Sequence, residues 1–254
     1  TGGILTFIDK GTTTFNADID VRNDGFQGAP AQATAAWISC SINFIEPNSG
    51  IEALKGESIA ILGNSYTKGS GAPANGGGGG ITDNGAGGAS NFGAGGLGGQ
   101  GGWMASCNVR AQGGKPLTYS NALNKIFLGG AGGDSQRSEG TGPNMGVNGG
   151  GIVIIRTTGI AGNNFSILTQ GANAPPATQD VGGGGGAGGT VLLDCPTIMG
   201  TLNVNTSGGG GGNANIYAIT PCSSGAGGGG GVLWVSTPAV SPNIVYTSTG
   251  GIGG

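Results

Sequence analysis

Cysteine is the residue type in this chain best suited to chemistry, and its spacing withholds most of that chemistry. Cys40, Cys107, Cys195 and Cys222 contain no Cys-x-x-Cys pair, and the 254 residues include no histidine. Zinc-site spacings are therefore absent. So are the imidazole base of a Ser-His-Asp triad and that of a Cys-His pair. Cys195 and Cys222 occupy corresponding places, each beside a proline (Cys195-Pro196, Pro221-Cys222) and flanking one glycine run. In an extracellular setting a disulfide between them would close a loop and contribute about 3 kcal/mol on the chain-entropy account. The other reading is four reduced cysteines acting as small buried hydrophobes.

The twelve acidic residues are scattered, and the tightest set is Asp18, Asp20 and Asp24 beside Asn23. Asp18 and Asp20 share one strand face, which could suit a hard cation such as Ca²⁺. The run DIDVRNDG nevertheless lacks the order and the closing glutamate of a calcium loop, and reads as a solvated strand edge followed by an Asn-Asp-Gly turn. Gly93–Gly98 matches Gly-x-Gly-x-x-Gly, but without a Lys-Ser/Thr or a strand-to-helix context it carries no phosphate chemistry. Trp234 sits within an apolar strand pattern and reads as core; Trp37 and Trp103 are not interleaved with Arg or Lys. Asn164-Phe165-Ser166 and Asn205-Thr206-Ser207 fit the glycosylation pattern at the rate chance supplies. The expectation is no catalytic residue, no cofactor, no metal and no enzyme.

The elements that would position any site must come from an unusual composition. Sixty-three residues are glycine, and only 8% are charged, with a net charge of −3. Ordinary domains hold about 7% glycine and about 25% charged residues. Without a basic stripe, a nucleic-acid partner is not expected. No apolar run reaches the length needed to span a bilayer. The chain opens on Thr1 and closes on Gly253-Gly254 in mid-pattern, which suggests a piece of a longer protein.

Glycine clusters in four five-residue runs, Gly76–Gly80, Gly182–Gly186, Gly208–Gly212 and Gly227–Gly231. Four segments share a plan of glycines, a short apolar strand, a turn, and a second alternating strand. Their first strands are Ile4–Ile8, Ile152–Arg156, Thr190–Asp194 and Val232–Ser236. Their second strands are Phe15–Val21, Phe165–Thr169, Thr201–Asn205 and Asn243–Thr247. The last three copies begin 38 and 42 residues apart, at Ile152, Thr190 and Val232. The units fall near 2–24, 149–171, 188–207 and 229–250, with a long glycine-rich insertion at 25–148 and no domain boundary within 1–254. Further strands are expected at Trp37–Ile45, Glu57–Leu62, Trp103–Arg110 and Lys125–Leu128. Glycine-free helical periodicity is missing, so almost no helix is expected.

Isolated glycine runs are flexible linkers by default, but runs at regular positions can pack. As extended three-fold helices without Cβ atoms, neighbours can approach closely and exchange backbone hydrogen bonds. The expected fold is all-β: a solenoid-like stack of short parallel strands packed with polyglycine II-type rods. Ile4, Ile152, Val191 and Val232 are expected to share one core. Ala86, Ala89, Ala94, Leu97, Ala187 and Ala226 are expected to face outward or cap the array. A side chain at Gly210 is expected to be disruptive.

The segments GGILTFIDKGTTTFNADIDVRNDGFQGAP, Lys125–Ile160 and Gly182–Asp194 together resemble glycine-rich modules in very large surface adhesins of gliding Bacteroidetes, which are exported by type IX secretion. The resemblance implies an extracellular, cell-surface structural or adhesive segment without catalytic residues. The implied partners are adjoining repeats or like modules, surface glycans and the secretion machinery. The stretch Ala29 to Gly63 departs from the pattern. An alternative is a phage-type receptor-binding tip built on glycine helices. Ice binding would need regular Thr or Ala faces, which the strands interrupt.

Overall fold

The computed structural model describes residues 3–32, 43–48, 52–63, 66–81, 83–101, 109–119, 124–136, 144–178, 181–215 and 222–254. No helix occurs among them. The strands are β1 (Ile4–Ile8), β2 (Thr12–Thr14), β3 (Ile19–Asp20), β4 (Ile152–Arg156), β5 (Gly159–Ala161), β6 (Ser166–Leu168), β7 (Thr190–Asp194), β8 (Ile198–Met199), β9 (Leu202–Asn205), β10 (Val232–Val235) and β11 (Ile244–Thr247). They form three parallel sheets with orders β1-β4-β7-β10, β2-β5-β8 and β11-β9-β6-β3. Visiting three sheets in turn and stepping over by one strand at each return makes a three-sided, solenoid-like stack.

The register shows why these residues form these strands. Leu5, Val153, Val191 and Leu233 align in one column, and Phe7, Ile155, Leu193 and Val235 in another. Successive side chains alternate between faces, so both columns point inward. They meet Ile160 from the second sheet and Ile167, Leu202, Val204 and Ile244 from the third. Burying each such side chain stabilises by roughly 1.5–3 kcal/mol.

One expectation about this core was out of step by a residue. Ile4, Ile152 and Val232 share their column with Thr190, not Val191. Thr190 takes the first strand position after Gly188-Gly189, which moves Val191 to the opposite, inward face. A second difference is the sheet of β2, β5 and β8, where the sequence reading placed turns. Strands of two or three residues are too short to show alternation. The second strands are also shorter than expected, most clearly Phe15–Val21, which contracts to β3. Glu57–Leu62 and Lys125–Leu128 form no strand; the second crosses near the first sheet, where the Phe127 carbonyl accepts from Thr190 Oγ1 at 2.7 Å. Most of Trp37–Ile45 and Trp103–Arg110 lies outside the described residues.

Glycine-rich chain enters and leaves this stack. Residues 144–151, 181–189 and 223–231 lead into β4, β7 and β10, while 169–177 and 205–213 follow β6 and β9. Their backbone bonds keep a strict rhythm. The N–H groups of Gly182, Gly185 and Gly188 donate to the carbonyls of Ser223, Ala226 and Gly229. Those of Gly184 and Ala187 go to Gly133 and Gly130, and those of Gly186 and Gly189 to Ala172 and Thr169. All seven bonds span 2.7–3.1 Å, and every third residue returns to the same neighbour. Gly77 and Gly80 repeat this toward Ala131 and Asp134, with Gly78 and Gly79 bonding Gln112 and Gly69. Backbone donors buried among glycines are thereby satisfied by neighbouring segments of the chain rather than within their own run.

The conformational freedom of glycine is not what this array uses. Only Gly69 and Gly200, at φ 106° and 64°, occupy the left-handed region among the described glycines. What the array needs is the missing Cβ. A Cβ at Gly225 would fall 1.8 Å from the Gly183 oxygen, and one at Gly209 1.8 Å from the Ala172 oxygen. Gly210 was the wrong residue to single out: a Cβ there meets nothing closer than the Ile252 oxygen at 3.5 Å, because Gly210 faces outward.

The alanines also need correction. Ala86, Ala89, Ala187 and Ala226 are buried inside the array, and only Ala94 and Leu97 face solvent. A methyl group is small enough for the gaps where three chains meet, as Ala226 shows, its Cβ 3.1 Å from the point where a Gly96 Cβ would stand.

Candidate functional site

The outer face of the first sheet carries the described side chains best suited to contact a ligand. Alternation turns Ile152, Thr190 and Val232 outward in one column, Ile154, Leu192 and Trp234 in the next, and Arg156 and Asp194 in the last. The first column is covered. Thr190 Oγ1 lies 2.9 Å from the Tyr119 hydroxyl, which also donates to Asn91 Oδ1, and Asn91 Nδ2 donates to the Gly188 carbonyl at 2.8 Å. Burial pushes the Tyr119 hydroxyl up to about 12. Its ring packs edge-on against Phe127 at 5.2 Å and Phe92 at 6.1 Å, and lies 6.3 Å from the Trp234 indole.

Below this lid the face opens into a groove of about 530 Å³. Leu192 and Trp234 give it apolar walls; Asn124, Lys125, Asp194 and Ser236 give it polar ones. Arg156 Nε holds Asp194 Oδ2 at 3.1 Å, across the register pair that aligns the two strands. The Trp234 indole N–H has no hydrogen-bond acceptor and is shielded from solvent. Trp234 is therefore not a core residue, contrary to the sequence reading. The signal was present in Val232–Val235: once Leu233 and Val235 are inward, Trp234 must point out.

The residues first considered for chemistry serve the fold. Asp18 Oδ1 accepts from the Ser166 N–H at 2.7 Å, tying β3 to the start of β6. Asp20 pairs with Arg22 at 2.6 Å, and the hydrogen bond from that guanidinium holds its carboxyl below the usual range. Asp24 joins neither contact. Among the described residues no group of three or more Cys, Asp and Glu is placed to hold a metal. Gly93–Gly98 belongs to the glycine array, where Gly93 and Gly96 donate to Gly230 and Gly227.

Cys195 is a free thiol in the apolar core, its pKa raised by burial and then by the Asp194 charge. The bond to Cys222 suggested by sequence is not formed. Cys222 adjoins Ser223, whose carbonyl accepts from the Gly182 N–H. Thirteen residues of largely extended chain, about 40 Å, separate Gly182 from Cys195. Cys40, Cys107, Trp37 and Trp103 lie outside the described residues.

A second region is the end of the glycine array away from the strands. There Gly182 donates to Ser223, Ser223 to Asp83, Ser135 to Val181, Asn84 to Val109, and Asn215 to Thr178. Residues from five stretches of the described chain, at 83–84, 109, 135, 178–182 and 215–223, thus meet at one end. Comparison with family models, curated proteins and solved structures returned no match to this chain.

Proposed function

We propose that the chain is an extracellular structural and adhesive module of a large cell-surface adhesin or filament. In this reading it is a single unit in which repeats of about 40 residues build the strand stack. The rods of glycine beside it are of the polyglycine II type. The observation that carries the reading is the three-residue rhythm of backbone bonds between neighbouring segments of the chain, since three residues per turn and no internal bonds define that helix. A block bonded in three directions resists bending and shear, which suits a stalk or filament rather than a catalyst. Its outermost strands suit adjoining repeats or like modules. Ile8 on β1 is 72% exposed and Val245 on β11 54%, and edge strands offer unpaired backbone groups. The resemblance to gliding-type adhesins supports a cell-surface setting. Negative-stain imaging and light scattering at micromolar concentration, with and without flanking sequence, test this. Stiff particles that associate through their ends are expected; a freely tumbling monomer with hydrolytic or transferase activity would overturn it.

A second reading is a receptor-binding tip of phage type. It is favoured by the meeting of Asp83, Ser135, Thr178, Asn215 and Ser223 from five stretches of the chain at the far end of the array, which make one composite surface there. Replacing the exposed Asn215 by lysine should then weaken attachment to a host cell while leaving the melting temperature nearly unchanged.

A further inference from the structure

From the groove beside Trp234 we infer a subsite for a neutral pyranose unit of a surface polysaccharide; this rests on the adhesive reading and names its ligand. Three properties of the groove lead there. Its volume of about 530 Å³ lies within the range of small-ligand pockets. Its lining is amphipathic: the indole of Trp234 and the side chain of Leu192 offer a flat apolar wall, while Asn124, Lys125, Asp194 and Ser236 supply donors and acceptors. A pyranose has the matching division, with C–H groups on its face and hydroxyls around its edge. Its charges also balance. Its lining carries one cationic and one anionic side chain, Lys125 and Asp194, which cancel in formal charge. A lipid chain would leave these polar groups desolvated without partners, at a cost of about 1–3 kcal/mol each.

The Trp234 N–H adds a specific demand. It is the polar atom of the aromatic cluster without an acceptor, whereas the Tyr119 hydroxyl beside it is fully engaged. A sugar hydroxyl bound within reach of that N–H would remove the deficit. Strand alternation presents this half-buried indole on the outer side of the first sheet, at that sheet's edge strand β10.

The test uses the intact chain and cellotetraose, maltotetraose and chitotetraose as probes, read by saturation-transfer NMR and by titration calorimetry. At least one tetrasaccharide is expected to bind. Trp234→Ala should weaken it by more than tenfold, and Ser236→Arg, which fills the groove from a surface position, should abolish it. Should Trp234→Ala fail to fold, Ser236→Arg and Trp234→Phe provide the same contrast. Absence of binding by all three sugars overturns the subsite, as does binding that both groove variants leave intact or binding only of an apolar peptide. Light scattering on the same samples separates the two claims: rods without sugar binding remove the subsite and leave the structural module standing.

Discussion

The strand stack and the glycine array solve one problem in opposite ways. In the stack, backbones pair in flat sheets and side chains such as Ile155, Leu193 and Val204 fill the space between them. In the array nothing fills the space, because the backbones themselves come together: the Gly183 oxygen lies where a Gly225 Cβ would be. Stability in the stack comes from atoms added beyond the backbone, and in the array from atoms left out. The strands continue the glycine runs without a break in the chain, as at Gly188-Gly189 into β7. One extended chain can therefore serve both regions.

This contrast fixes the sign of each substitution, and the largest effect should be in the array. Gly225→Val is expected to cost about 4 kcal/mol or more, through overpacking and the breaking of buried backbone bonds to Gly212 and Gly254. Thermal unfolding measures it; an unchanged melting temperature would mean the run is a linker. Next comes the stack, where removal is the damage. Leu193→Ala, at a fully buried position, should cost about 2–5 kcal/mol in denaturant titration.

The pH dependence separates the regions more finely. Burial lowers Lys55 from 10.5 to about 8, on a segment bonded to the array through Gly56 and Gly77. The unfolded chain then binds more protons between pH 8 and 10.5, so stability rises with pH in that window. Tyr119, beside the stack, is raised from 10.0 to about 12. The folded chain there keeps a proton that the unfolded chain releases, so stability falls from pH 10 to 12. A maximum near pH 10 follows. Lys55→Met should flatten the rise and Tyr119→Phe the fall; a curve unchanged in either variant breaks the assignment. The smallest effect should be at Gly210, inside a glycine run yet open to solvent. Gly210→Ala is expected to shift stability by less than about 0.5 kcal/mol, and a large loss would show that the run packs on that side too.

Much of the stack was legible in the sequence. Ile4–Ile8, Ile152–Arg156 and Thr190–Asp194 stand where their β-branched runs placed them, and parallel pairing followed from the long returns between them. The second sheet, β2-β5-β8, was not legible, since two or three residues carry no periodic signal. The groove was hidden for another reason. Trp234 reads as core in isolation, and only its register with Leu192 shows that it faces out.

By itself, the sequence determined the all-β, helix-free character of the described chain, because glycine runs and short β-branched segments leave helices no place to propagate. It also determined where close backbone packing was possible, since only a missing Cβ permits it. Tertiary structure alone decided which glycines are packed and which are open, as Gly209 and Gly210 show one residue apart. It alone brought Asn91, Tyr119, Phe127 and Trp234 onto one sheet face across more than a hundred residues of chain. In the array every third residue bonds the same neighbour, and which neighbour a given glycine meets depends on segments far away in sequence.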